Sequence, residues 1–189
     1  MTRCETVRKA LSDSGILLLQ DQKLPSIVGL FCDLKVSASW WSIPEAHDIF
    51  RCLESLEPTA VATRLINRKV TYVHRRLWPA IAAVGDTRQS WQMRGLSPDA
   101  KRLLAQTTRG ESPIGHGPSA RELQDRLLVV AHEVHTPSGK HEVRLQSWES
   151  WAATMDVVPL SSAEKARDIL ETAAVSIGGT RAMLPWPRS

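Results

Sequence analysis

The sequence predicts an α+β fold, mainly helical with two β-hairpins, and two observations carry that prediction. Over most of the chain, apolar residues recur at helical spacing behind Ser or Thr, as Cys4, Val7 and Leu11 do after Thr2. Only in 61–74 and 129–146 does the period change to two with turn-forming residues in the middle. The 189 residues, 42% hydrophobic and 23% charged, have the ordinary globular balance, which excludes wholesale disorder and leaves enough apolar side chain for a core.

Four helix starts pair Ser or Thr with Glu three residues on: Thr2/Glu5, Ser42/Glu45, Ser119/Glu122 and Ser161/Glu164. In such a pair each side chain satisfies an orphan backbone donor. The first helix stops at Gly15, and Ile16 to Leu19 then reads as a strand or a buried segment. "SWWSIPEAHDIFRCLESLEP" reads as a helix capped by Ser42, with Pro44 in its first turn, Ile49, Phe50, Leu53 and Leu56 at helical spacing, and an end at Pro58. "VATRLI" and "KVTYVH" flank Asn67-Arg68, a hairpin turn without the usual glycine. Helical stretches follow near 76–84, 87–93 and 98–107, the last opened by Ser97-Pro98. "RGESPIGHGPS", 109–119, concentrates glycine, proline and serine and reads as an internal linker.

Beyond it come a capped helix, "SARELQDRLLVV", and a hairpin over "VVAHEVHTPSGKHEVRLQSW". A Pro137-Ser138-Gly139 loop there pairs Thr136 with Lys140 and sets His135 opposite His141, with glycine in the left-handed position. Helix, helix, then a basic-tipped hairpin is the order of a winged helix, so the C-terminal half is expected to be winged-helix-like. A standard winged helix has another helix between Ser97 and Ser119, where loop signals dominate here. The parts are then 1–109, an N-terminal α+β part with a basic hairpin, and 119–179, a helix-hairpin-helix part, packed as one compact unit.

Cys4, Cys32 and Cys52 are odd in number, widely spaced and on helical stripes, so they read as buried thiols, with neither a disulfide framework nor a zinc site. No basic-then-apolar leader stands at Met1, and no apolar run approaches the roughly 18–20 residues of a bilayer span. A cytoplasmic protein without membrane contact is expected.

Charge gives the functional reading. Between Pro58 and Gly85 lie Arg64, Arg68, Lys69, Arg75 and Arg76 and no acid. Arg75 and Arg76 fall near a helix start, where free N–H groups and the dipole attract phosphate. Two accounts fit: contact with nucleic acid, or a solvated face whose stems cover Trp78 and whose charge is neutralised by acids from elsewhere. The candidate nucleic-acid contacts are Arg68, Lys69, Arg75 and Arg76, with Arg121, His135, Lys140 and His141 about the second hairpin. Of seven tryptophans, Trp40, Trp41, Trp78 and Trp91 have base stacking as one reading and core packing as the other, while Trp148 and Trp151, three apart, fit one helical face.

The sequence identifies no reaction, cofactor or metal site. His132, Glu133, His135 and His141 form the densest ionisable cluster, but "HEVH" lacks the four-residue spacing of the zinc-protease helix, and residues 132 and 135 fall on opposite faces of a strand.

"SWWSIPEAHDIF", "KVTYVHRRLWPA" and "LLVVAHEVHTPSGKHEVRLQSWESWA", spanning most of 24–154, resemble a group of uncharacterised bacterial proteins related to the winged-helix DNA glycosylases that remove alkylated or cross-linked bases. The resemblance implies association with DNA rather than RNA, and less strongly base excision. Those glycosylases position water with Gln-x-Gln or Gln-x-Asp. Here "QDQ" supplies Gln20, Asp21 and Gln22 but follows "ILLL" without the surrounding pattern. Both glutamines are therefore expected outside any deep pocket and not to be catalytic.

Overall fold

The computed structural model describes residues 2–32, 39–135 and 141–187. Its helices are α1 (Arg3–Ser14), α2 (Ile27–Cys32), α3 (Ala46–Glu54), α4 (Trp78–Asp86), α5 (Ser90–Met93), α6 (Pro98–Thr108), α7 (Pro118–Asp125), α8 (Trp148–Thr154) and α9 (Ala163–Ser176). Strands β1 (Ile16–Leu18), β2 (Ala60–Ile66) and β3 (Lys69–His74) form an antiparallel sheet in the order β1-β3-β2, and β4 (Val130–His135) pairs with β5 (His141–Gln146) as a hairpin. The α+β class and both hairpins are thus present. None of these helices is long and apolar enough to cross a membrane.

Local chemistry explains where elements start and stop. Thr2 and Glu5 form the expected capping box on α1, and Gly15 ends that helix at φ 82°. The Asn67-Arg68 turn places both residues at positive φ, 50° and 56°, the geometry of a type I′ hairpin without its glycine. The β2–β3 register slips between Thr63 and Ile66. The buried Thr71 hydroxyl meets the slip: it accepts from the Ile66 amide at 3.3 Å and donates to the Lys69 carbonyl at 3.0 Å.

Three expected caps are corrected. The Ser42 hydroxyl donates to the Ser39 carbonyl at 2.6 Å, in a 3-10 turn at Trp40–Ser42, and α3 starts only at Ala46. At α7, Gly117 and Pro118 set the start two residues early, so Ser119 lies inside the helix and Glu122 turns to Ser97. At α9 it is Ser162, not Ser161, that accepts from the Lys165 amide, at 3.2 Å. Segment 109–119, read as a linker, runs along β5: the Gly115 amide bonds the Val143 carbonyl at 2.7 Å, the Leu145 amide bonds the Pro113 carbonyl at 2.9 Å, and Ile114 bridges Arg144.

The apolar side chains gather in three clusters. In the central one, α4, α8 and α9 pack on the sheet around Trp78, Trp148 and Trp151, whose rings meet edge to face at 5.1 and 5.4 Å. The indole N–H groups of Trp78 and Trp148 donate to the Val73 and Leu127 carbonyls at 3.0 and 2.8 Å, so these rings are buried without a lost hydrogen bond. A front cluster joins α1, α2 and α3, and a rear one joins α6, α7 and the second hairpin.

The front cluster overturns the reading of the cysteines. Cys4 on α1 and Cys52 on α3 face each other across it, with Cα atoms 5.6 Å apart, and form a disulfide; Cys32 stays a thiol. A sequence separation of 48 hides this contact, because only the packing of α1 on α3 creates it.

Candidate functional site

Folding divides the five cations that no local acid opposes. Arg64 pairs through Nε with Asp125, both side chains being largely buried, and Lys69 Nζ lies 2.7 Å from an Asp21 carboxylate that is 7% exposed. Burial alone would raise the Asp21 pKa. The Lys69 ammonium and the amides of Leu24 and Lys23 outweigh it and hold this carboxyl below its ordinary range. Arg68, Arg75 and Arg76 remain exposed, with no acid partner among the described residues.

Arg75 and Arg76 stand at one end of β3 and Arg68 at the other, roughly 23 Å apart along an extended chain. At the Arg75 end the backbone donors that could meet a phosphate are already engaged. The Arg75 amide bonds the Thr59 carbonyl at 2.8 Å and the Arg76 amide reaches His74 Nδ1 at 3.4 Å. The Arg76 guanidinium donates to the Asp13 carbonyl at 3.0 Å. His74 has its pKa lowered by burial and then by the Arg76 and Arg75 charges, so its ring is neutral at pH 7.

At the Arg68 end the chain builds a cleft of about 690 Å³. Arg68, Arg94, Arg121 and Arg126 line it, with the half-buried Trp91, the carboxylates of Glu122 and Asp125, and the prolines Pro185 and Pro187. The hairpin tip is pinned in place by the Asn67 amide, which bonds the Met183 carbonyl at 2.7 Å. Arg126 is fixed by donating Nη1 to the Gln92 and Arg94 carbonyls, at 3.0 and 2.5 Å, and Nη2 to Glu122 at 3.2 Å. Behind it the fully buried Gln92 amide ties the Val84 and Arg126 carbonyls together at 3.3 and 3.2 Å.

Both acids in the cleft are therefore committed. Glu122 accepts from Arg126, from the Ser97 hydroxyl at 2.7 Å and from the Ser97 amide, and Asp125 holds Arg64. The guanidinium groups of Arg68, Arg94 and Arg121 have no such partner among the described residues. Three planar forks facing one hollow, beside an indole, can take a polyanion whose charges are spaced along a chain.

The structure thus brings together Arg68 and Arg121 of the expected contacts and sets Lys69, Arg75 and Arg76 apart from them. His135 opposes His141 in the β4–β5 register, as expected. Lys140 and the Pro137-Ser138-Gly139 loop lie outside the described residues. His132 is half-buried, its Nδ1 enclosed without a partner, and burial followed by the Arg144 charge lowers its pKa. Among the described residues no group of three or more His, Cys, Asp or Glu is placed to hold a metal. Gln20 accepts from the Trp40 amide at 3.3 Å, Gln22 is exposed, and neither lines the cleft.

Arg94 and Arg126 were not legible as site residues. "RELQDR" mixes both signs of charge, and only the pairing of Glu122 with Ser97 and of Asp125 with Arg64 reveals the cationic surplus. No protein-family model matches the chain, and neither a curated protein nor a solved structure matches it.

Proposed function

We propose that the chain binds nucleic acid, DNA in preference to RNA, through the cleft at the β2–β3 tip. One observation carries this reading: Arg68, Arg94 and Arg121 face a single hollow with their charges uncommitted, while each carboxylate of that hollow is already paired with another arginine, Glu122 with Arg126 and Asp125 with Arg64. Phosphate contacts of this kind supply most sequence-independent affinity, and Trp91 in the wall offers a face on which a base can stack. The preference for DNA rests on the resemblance to the glycosylase-related group. Base excision, the alternative that this resemblance also implies, draws no support from Gln20 and Gln22, which stand outside the cleft.

The winged-helix part of the proposal is narrower. The order α6, an isolated β-bridge at Ile114, α7, then the β4–β5 hairpin supports only part of that pattern. Only residues 126–129 separate α7 from β4, so a second helix has no room before the hairpin, and the cleft rather than a recognition helix is the reading element. A cytoplasmic place goes with nucleic-acid binding, whereas the Cys4–Cys52 disulfide fits an oxidising compartment; counting thiols in freshly isolated protein decides between them.

The test is fluorescence anisotropy with duplex and single-stranded oligonucleotides across a salt series. Replacing Arg94 and Arg121 with Ala should weaken binding to all sequences alike. It should also reduce the salt slope by about 1.8 on duplex or about 1.4 on single strands, at roughly 0.9 and 0.7 per lost contact. Arg75→Ala with Arg76→Ala, at the far end of β3, reports whether the same nucleic acid reaches that end. If the Arg94 and Arg121 variant binds with unchanged affinity and slope, the cleft is not the interface.

A further inference from the structure

A second hollow, of about 480 Å³, opens between α3 and β4 over one face of the β2–β3 sheet, and it shares no residue with the basic cleft. Its walls are aromatic: Trp40, Trp41, Phe50, Tyr72, Trp78 and Trp151 all contribute. Its charge is opposite to that of the chain as a whole. Glu54, Glu57 and Glu133 line it, and among the described residues no Lys or Arg does, in a protein whose net charge is +4.

We propose that this hollow binds a small organic cation, an alkylated ammonium group carried on an apolar body. Aromatic faces present the negative side of their quadrupole and attract such a cation, most strongly where water is excluded, and carboxylates at the edge add a longer-ranged pull. A phosphate or carboxylate ligand would meet three like charges instead.

Three further observations support the assignment. Trp41 is 60% exposed, far more than core packing requires, yet it stacks on Trp40 at 3.9 Å and stands 5.9 Å from Phe50, so an indole face is held at the mouth of the hollow. The Tyr72 phenol has its pKa raised by burial and then by Glu57 and Glu133, so both carboxylates act on the interior and the ring stays a neutral, electron-rich face. The His132 side chain belongs to the same wall and adds no positive charge there, since burial followed by the Arg144 charge lowers its pKa below the ordinary histidine value.

The experiment titrates the full chain with choline and with dimethylbutanol, the neutral analogue in which carbon replaces nitrogen, following tryptophan fluorescence and the choline methyl proton shift. Choline should quench the fluorescence and move upfield under the ring currents, and dimethylbutanol should bind more weakly. Trp41→Ala and Glu57→Gln, both at exposed positions, should keep the native fold by circular dichroism. The first should weaken choline binding about two- to thirtyfold, the range of one cation–π contact. A trimethyl-lysine peptide beside choline separates the sources of the cation: tighter binding of the peptide points to a protein side chain, tighter binding of choline to a free small molecule, and either supports the site. Equal binding of choline and dimethylbutanol would overturn the proposal, leaving only an apolar hollow. So would no binding of either cation, or choline binding that Trp41→Ala leaves unchanged.

Discussion

Trp148→Ala should lower stability by about 3–5 kcal/mol, the cost of emptying a large aromatic site in a core that relaxes only in part. Trp148 is 2% exposed, meets Trp151 edge to face, and donates its indole N–H to the Leu127 carbonyl at 2.8 Å. The alanine variant therefore loses packing and leaves a carbonyl without its donor. Gly85 makes the same point from the other side. A Cβ built there would lie 2.2 Å from the Trp148 ring, so Gly85→Ala must push the indole out of place. In guanidinium titrations both variants should shift the midpoint to lower denaturant with little change in slope. Combined, they should cost less than their sum, because removing the ring removes the clash. Strict additivity would show that Gly85 and Trp148 are not in contact.

Reduction of the Cys4–Cys52 disulfide is the second large effect. Its partners are 48 residues apart, and on the chain-entropy account opening a loop of that size costs about 4 kcal/mol. Cys4→Ser combined with Cys52→Ser should match the stability of the reduced protein. Thiol titration in denaturant should find one free thiol before reduction and three after it. Three thiols before reduction, with no stability lost in the double variant, would mean that the two sulfurs stay unbonded in the protein as isolated. The loss should concentrate on the front cluster, where α1 and α3 would come apart while the Trp78–Trp151–Trp148 group keeps its packing.

Both hairpins were legible because period-two alternation and turn residues are local properties. Asn67-Arg68 turned the chain even without glycine, since asparagine tolerates left-handed backbone and the flanking strands fix the rest. The helix starts were less legible. Ser42, Ser119 and Ser161 each satisfy the sequence rule for a cap, but a nearby proline or a neighbouring serine provided a competing start. Charge in the site was harder still. Five cations in a row looked like a single patch, yet Arg64 and Lys69 met acids that the sequence places 61 and 48 residues away. The cleft drew Arg94 and Arg126 from stretches whose own charge is balanced. Such pairings belong to tertiary contact, which no window on the sequence contains.

The hydrogen bond from the Asn67 amide to the Met183 carbonyl also has a consequence in time. It holds the hairpin tip carrying Arg68 against the segment whose Pro185 and Pro187 form one wall of the basic cleft. That wall leaves the ribosome roughly 115 residues after the arginine, a delay of roughly 6–23 s at about 5–20 residues per second. During that interval the nascent chain carries Arg68, joined in turn by Arg94 and Arg121, without the wall that shapes them into a cleft, so any polyanion met during synthesis would find an unselective surface.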